Sequence, residues 1–156
     1  MRYYTYLILK IIPSAELEKF NSDELELLLN GQPFIDVDDW KQNTIYQGKY
    51  NPKHKVIKWF WEVIYELSQE ELSNLLQFCT GNSRVPIGGF SMMESNRGEI
   101  AKFCIISLEY KVGNKNYIKS HTCFNRMELP FFPNIEELKD AVKYVIKGDI
   151  IGFGID

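Results

Sequence analysis

The chain has 156 residues, of which 45% are hydrophobic and 14% aromatic, with a net charge of −3 and a pI near 5.5. Such a length can bury roughly two thirds of its unfolded surface, enough for one good core and a small second unit. The acidic balance argues against nucleic acid or an anionic membrane as a main partner, since both call for a basic face. The three cysteines, Cys79, Cys104 and Cys123, are too sparse for a disulfide framework or a zinc site and fit a reducing compartment. No apolar run approaches bilayer length. The N-terminal Arg2-Tyr3-Tyr4-Thr5-Tyr6-Leu7-Ile8-Leu9 is too aromatic and too short for a signal peptide. The expectation is a soluble intracellular protein, cytoplasmic and also nuclear in reach.

In chain order, Met1 to Leu9 reads as a strand or as the remainder of a cut helix. Pro13-Ser14 is a helix start, and Ala15 to Phe20 forms a short helix burying Leu17 and Phe20. Asn21-Ser22-Asp23 caps a second, acidic-started helix that Gly31 and Pro33 stop. Asp36-Val37-Asp38-Asp39-Trp40 opens a further helix or turn. Its carboxylates complement the helix dipole, a plainer reading than a metal site. Tyr46 to Pro52 is the best boundary: Gly48 supplies backbone freedom and Pro52 restricts the residue before it.

From Val56 to Leu67 apolar residues fall at Val56, Ile57, Phe60, Trp61, Ile64 and Leu67, a helical stripe with Trp59 off it. Ser68-Gln69-Glu70-Glu71 has the form of a capping box and starts a helix carrying Leu72, Leu75, Leu76 and Cys79. Cys79 is core on that stripe, and His54 is a surface histidine. Gly81 to Gly89 is a loop in which Arg84 either satisfies backbone carbonyls or meets a ligand. Phe103 to Ile106 is a buried strand with Cys104 in the core, and 113–116 is a turn. Tyr117 to Phe124 is the next strand. A last helix starts at Asn134 with Ile135, Leu138, Val142, Val145 and Ile146 on one face, before a glycine-rich tail.

The chemistry-bearing stretch is Ser120-His121-Thr122-Cys123-Phe124-Asn125-Arg126-Met127-Glu128-Leu129-Pro130. In an extended strand His121, Cys123 and Asn125 share one face, with Thr122 and Phe124 on the other and Phe124 anchoring the strand. Pro130 ends the element, having no N–H for a ladder. A cysteine at a strand end among polar and cationic neighbours can be poised as a nucleophile. On residue types alone it is more often a small buried hydrophobe.

His121-Thr122-Cys123-Phe124-Asn125-Arg126, followed by Leu129-Pro130, resembles the active-site strand of the HECT ubiquitin-protein ligases. Leu75-Leu76-Gln77-Phe78, Thr80-Gly81-Asn82-Ser83-Arg84-Val85-Pro86 and Gly88-Gly89-Phe90 resemble that family's helix-to-loop signature. Asp36 to Trp40 and Val56 to Glu62 are similar to the stretches where its N-lobe ends and its C-lobe begins, and Gly152 to Asp156 resembles its tail. The likeness runs in order from about Ile11 to the last residue. It departs at Tyr117-Ile118, where the family often has Leu-Pro, and at Phe131-Phe132-Pro133, where Pro-Pro-Tyr is common.

The resemblance implies an α/β (α+β) fold, with helices packed on a small sheet of about four strands. Residues 1–47 would be a helical remnant of the N-lobe, 48–51 the linker, and 52–156 the catalytic C-lobe, with Gln47, Gly48, Lys49 and Tyr50 as the hinge. It implies a ubiquitin transferase that needs no cofactor or metal and whose partners are ubiquitin, a ubiquitin-conjugating enzyme and a protein substrate. Cys123 would take ubiquitin as a thioester and pass it to a substrate lysine. His121, Thr122, Phe124, Asn125 and Arg126 would support the site, and Phe153 would deliver the acceptor lysine. A non-catalytic ubiquitin-binding or scaffold module of the same fold is the alternative. A whole HECT domain is more than twice this long, so the chain alone is expected to charge weakly from a conjugating enzyme. An unrelated thiol hydrolase would want a histidine beside Cys123, and only His54 and His121 exist.

Overall fold

A computed structural model describes residues 19–95, 97–113 and 116–148. Five helices and four strands follow in order among them: α1 (Ser22–Asn30), α2 (Val37–Gln42), β1 (Ile45–Gln47), α3 (Lys55–Tyr65), α4 (Gln69–Thr80), β2 (Cys104–Leu108), β3 (Lys119–His121), β4 (Arg126–Pro130) and α5 (Ile135–Gly148). The sheet order is β1-β2-β4-β3. β1, β2 and β4 run parallel, with Ile45 opposite Cys104 and Cys104 opposite Arg126, and β3 is antiparallel to β4. Helices packed against a four-stranded mixed sheet are the expected architecture.

Helix starts follow local chemistry. Asn21 and Ser68 each accept a bond from the N–H three residues on, while Glu24 and Glu71 reach back to the cap N–H. These reciprocal bonds satisfy two otherwise orphaned donors at each helix start. Asp36 caps α2 by accepting from the N–H groups of Asp38 and Asp39. Asp38 accepts from the Tyr65 hydroxyl, and Asp39 from the Phe90 N–H at 2.8 Å and the Asn43 amide. The carboxylates expected at a helix start therefore work as caps and ties. His54 caps α3 through Nδ1, which accepts from the Val56 N–H, and its ring meets Tyr50 and Phe131.

Apolar stripes then fix the packing. Val56, Ile57, Phe60, Trp61, Val63 and Ile64 of α3 are buried, as are Leu72, Leu75, Leu76 and Cys79 of α4. α4 packs on β3 and β4, and α5 lies across α3 and α4 with Leu138, Val142, Val145 and Ile146 inward. Along β4, Met127 and Leu129 point into the core, as a period of two requires. Trp40 is fully buried, stacked on Phe90 at 4.9 Å with Phe103 and Trp61 edge-on. Offset stacks and T-shaped contacts suit the ring quadrupoles, so this cluster is a rigid centre.

Three expectations change here. Phe20 is 42% exposed rather than buried, and Leu17 lies outside the described residues. Ile45–Gln47, not anticipated as a strand, is an edge of the sheet. Residues 47–50, expected as the hinge beside a linker at 48–51, bond to the sheet and its last strand. Gln47 closes β1, the Lys49 N–H donates to Ser107 Oγ at 2.9 Å, and the buried Tyr50 donates its hydroxyl to the Pro130 carbonyl at 2.8 Å. Gly48 has φ +70° and lies so close to Ser107 that a Cβ would collide with it. The glycine there serves a tight return from the sheet, and the core already begins at Ile35.

Candidate active site

The site forms where the β3–β4 hairpin turns. After His121 the chain leaves the strand for a single 3-10 turn, Thr122–Phe124, and Asn125 takes a left-handed conformation with φ 49° and ψ 43°. Asn125 is the one described non-glycine residue with positive φ. Asparagine tolerates that region because its short amide can bond locally. The turn carries Cys123 outward, with its free thiol exposed, whereas Cys79 and Cys104 are buried. Opposite it, α4 ends in a left-handed cap at Gly81, φ 79°. The Thr80 hydroxyl donates to the Leu76 carbonyl at 2.8 Å and accepts from the Asn82 N–H, which fixes this corner.

Between these turns lies a polar cavity of about 200 Å³, lined by Thr80, Gly81, Asn82, Glu94, Ser95, Thr122 and Cys123. It is partly open to solvent, with the Cys123 side chain in its lining.

The single-strand expectation for Tyr117 to Phe124 is therefore corrected. His121, Cys123 and Asn125 do not form one face, because the turn breaks the alternation. Phe124 is 56% exposed and anchors nothing beneath it; the Arg126 guanidinium sits 6.0 Å over its ring. Asn125 is 1% exposed and turned inward, its amide donating to the carbonyls of Glu94 at 2.9 Å and Ala101 at 2.8 Å. His121 directs Nε2 to Glu128 Oε1 at 2.9 Å, across the hairpin, a partner that sequence spacing did not suggest. Among the described residues Cys123 has no hydrogen-bond or ion-pair partner, so no His–Cys pair is formed.

Arg126 lies opposite Cys104 in the β2–β4 ladder. Burial pushes the Cys104 thiol up, and the charge and hydrogen bond of Arg126 pull it part of the way back. Arg126 Nε is buried and without a hydrogen-bond partner among the described residues. Phe153 lies outside the described residues. Among the described residues no three His, Cys, Asp or Glu side chains converge as a metal site. Glu94, Ser95 and Asn82 are lining residues that the sequence did not single out; only the fold brings their loops to the cysteine.

A family model described as HECT-domain (ubiquitin-transferase) matches residues 7–156. The chain belongs to the HECT family. This HECT chain is 41% identical over 145 residues to the E3 ubiquitin-protein ligase ptr1 of Schizosaccharomyces pombe, covering 92% of the chain and 4% of that protein. It is 40% identical over 146 residues to the E3 ubiquitin-protein ligase Nedd-4 of Drosophila melanogaster, covering 94% and 14%. It is 47% identical over 132 residues to the E3 ubiquitin-protein ligase HACE1 of Xenopus tropicalis, covering 84% and 14%. The HECT chain thus spans a small part of the length of the curated relatives it matches.

Proposed function

We propose that this HECT chain is the catalytic part of a ubiquitin-protein ligase and that Cys123 is its nucleophile. The observation that carries the reading is the free, exposed thiol at a hairpin tip, beside a polar cavity of about 200 Å³. The Cys123 thiolate attacks the carbonyl of the thioester joining a conjugating enzyme to the ubiquitin C-terminus. The conjugating enzyme leaves as its own thiolate, and ubiquitin becomes a thioester on Cys123. A neutral substrate lysine amine then attacks that carbonyl, an isopeptide bond forms, and the Cys123 sulfur departs and regains a proton. Exchange between thiols is nearly balanced in energy, so positioning outweighs bond activation. That fits a cysteine without a histidine partner.

Roles follow contacts. Thr122 lines the groove and Asn125 holds the turn. His121 braces the hairpin through Glu128, and Arg126 spans Phe124 and Cys104. Phe153 is assigned to acceptor-lysine delivery on family likeness alone. We assign the body from Ile35 to Gly148 to the catalytic lobe, because its residues share one core. Any movement between lobes then falls before Ile35, not at 47–50. Partners are ubiquitin, a conjugating enzyme and a protein substrate; the cytoplasm and nucleus suit an exposed free thiol.

The test uses ubiquitin activated as a thioester of a small thiol, which needs no docking by a conjugating enzyme. On a non-reducing gel the wild-type chain gains a thiol-sensitive ubiquitin adduct and Cys123→Ala gains none. No adduct on wild type, with ubiquitin still bound without covalent attachment, would leave the binding-module reading instead.

A further inference from the structure

We propose that Asn125 is a positioning residue for thioester transfer: its amide clamps both arms of the 93–101 loop and so holds the groove wall facing Cys123. The inference rests on the proposed function above. Its basis is a convergence of bonds on one side chain. Residues 93–95 pair with residues 99–101, with Ala101 N–H donating to Met93 O at 2.7 Å, Ser95 N–H to Glu99 O at 2.8 Å, and Glu94 opposite Ile100. Asn125 Nδ2 donates to Glu94 O on one arm and to Ala101 O on the other. The Asn125 backbone closes the circuit: its carbonyl accepts from the Cys104 N–H at 2.9 Å, and its N–H donates to Thr122 O at 3.3 Å. One residue therefore ties the cysteine turn, the start of β2 and the loop bearing Glu94 and Ser95.

The residue type fits this duty. Both amide hydrogens are used, the group is buried, and the backbone is left-handed, which excludes most side chains. Aspartate would keep size and conformation but turn an acceptor toward two carbonyls. Glycine would keep the turn and release the clamp. A wall that drifts by an ångström loses contacts to the incoming chain end that are made alike before and during transfer, so the ubiquitin thioester binds more weakly.

The experiment measures transfer from the small-thiol ubiquitin thioester to the full chain over a range of ubiquitin concentrations, beside alkylation of Cys123 by iodoacetamide and thermal melting. For Asn125→Asp we expect KM for the ubiquitin thioester to rise about tenfold while the iodoacetamide rate stays near wild type, because a small reagent does not use the wall. Ser95→Trp, which fills the groove with Asn125 intact, should raise KM in the same way. If Asn125→Asp does not fold, Asn125→Gly takes its place. An unchanged KM in either test, or a fall in alkylation that tracks melting, overturns the proposal. Failure of both Asn125 variants to fold does so too, since Asn125 would then be a residue of the fold alone. A wild-type chain that takes no ubiquitin on Cys123 sinks the function reading itself, a distinct outcome.

Discussion

Cys104 and Cys123 are the same functional group in opposite surroundings. Cys104 begins a central parallel strand, buried, with its thiol pushed up by desolvation even though Arg126 lies against it. Cys123 sits three residues before that arginine, at a hairpin tip, open to solvent beside a polar groove. A nearby cation is thus not what separates the exposed thiol from the buried one. Backbone geometry separates them: a strand interior presents its sulfur to neighbouring side chains, while a 3-10 turn presents it to an incoming reagent.

The sharpest way to break this contrast is chemical. At neutral pH iodoacetamide should modify Cys123 about a hundredfold or more faster than Cys79 or Cys104 in the folded chain, read by intact mass and peptide mapping, because the buried thiols react only through opening. Comparable rates at all three would erase the distinction. Next comes the aromatic packing at the centre of the core. Trp40→Ala should lower stability by about 3–5 kcal/mol in denaturant titration, since it removes the centre of the Phe90, Phe103 and Trp61 cluster. A loss under 1 kcal/mol would mean that the cluster closes up easily.

A smaller effect concerns pH. Burial raises the Tyr50 hydroxyl well above its ordinary value of 10.0, Tyr46 is raised by burial, and Cys104 is raised from 9.0. The protonated forms are therefore favoured by folding. Their contribution is whole below the ordinary values and is lost as pH climbs toward the folded ones, so melting temperature should fall from about pH 9 upward. Tyr50→Phe, which removes the bond to Pro130, should cost about 1 kcal/mol at neutral pH and flatten that alkaline limb. An unaltered limb would shift the cause to the other groups. Smallest of all is His121→Gln. Its ring nitrogen is engaged with Glu128, so the transfer rate should change by less than about threefold, whereas loss of a working general base costs about a hundredfold or more.

Much of this was legible in the residues. Ser68 with Glu71 announces a helix start, the stripes of α3, α4 and α5 announce buried faces, and the motif around Cys123 carries the likeness to the HECT active-site strand. The hairpin was not legible, and the reason is physical. An extended reading of His-Thr-Cys-Phe-Asn puts His121, Cys123 and Asn125 on one face, and five residues are too few to show that a turn interrupts it. The hint was Asn125, one of the few residues at ease in a left-handed conformation. Strand alternation put Phe124 on the anchoring face, but a turn residue has no inner face to occupy. Three residues of β1 are too few to carry a period, so the edge strand showed only in its pairing with β2. Gly48 and Pro52 looked like a break for the same reason that they make a tight return.

The parallel ladder also dictates an order of events in time. Ile45 pairs with Cys104, and Trp40 is enclosed by Phe90 and Phe103, so the front of the body waits for partners some fifty to sixty residues later in the chain. α5 must then cross α3 and α4 before their apolar faces are covered. On a ribosome that emits the chain from its N-terminus, the reactive tip would assemble only after nearly every supporting segment has emerged. Nascent chains halted before α5 would therefore expose oily helix faces to chaperones without offering a seated nucleophile.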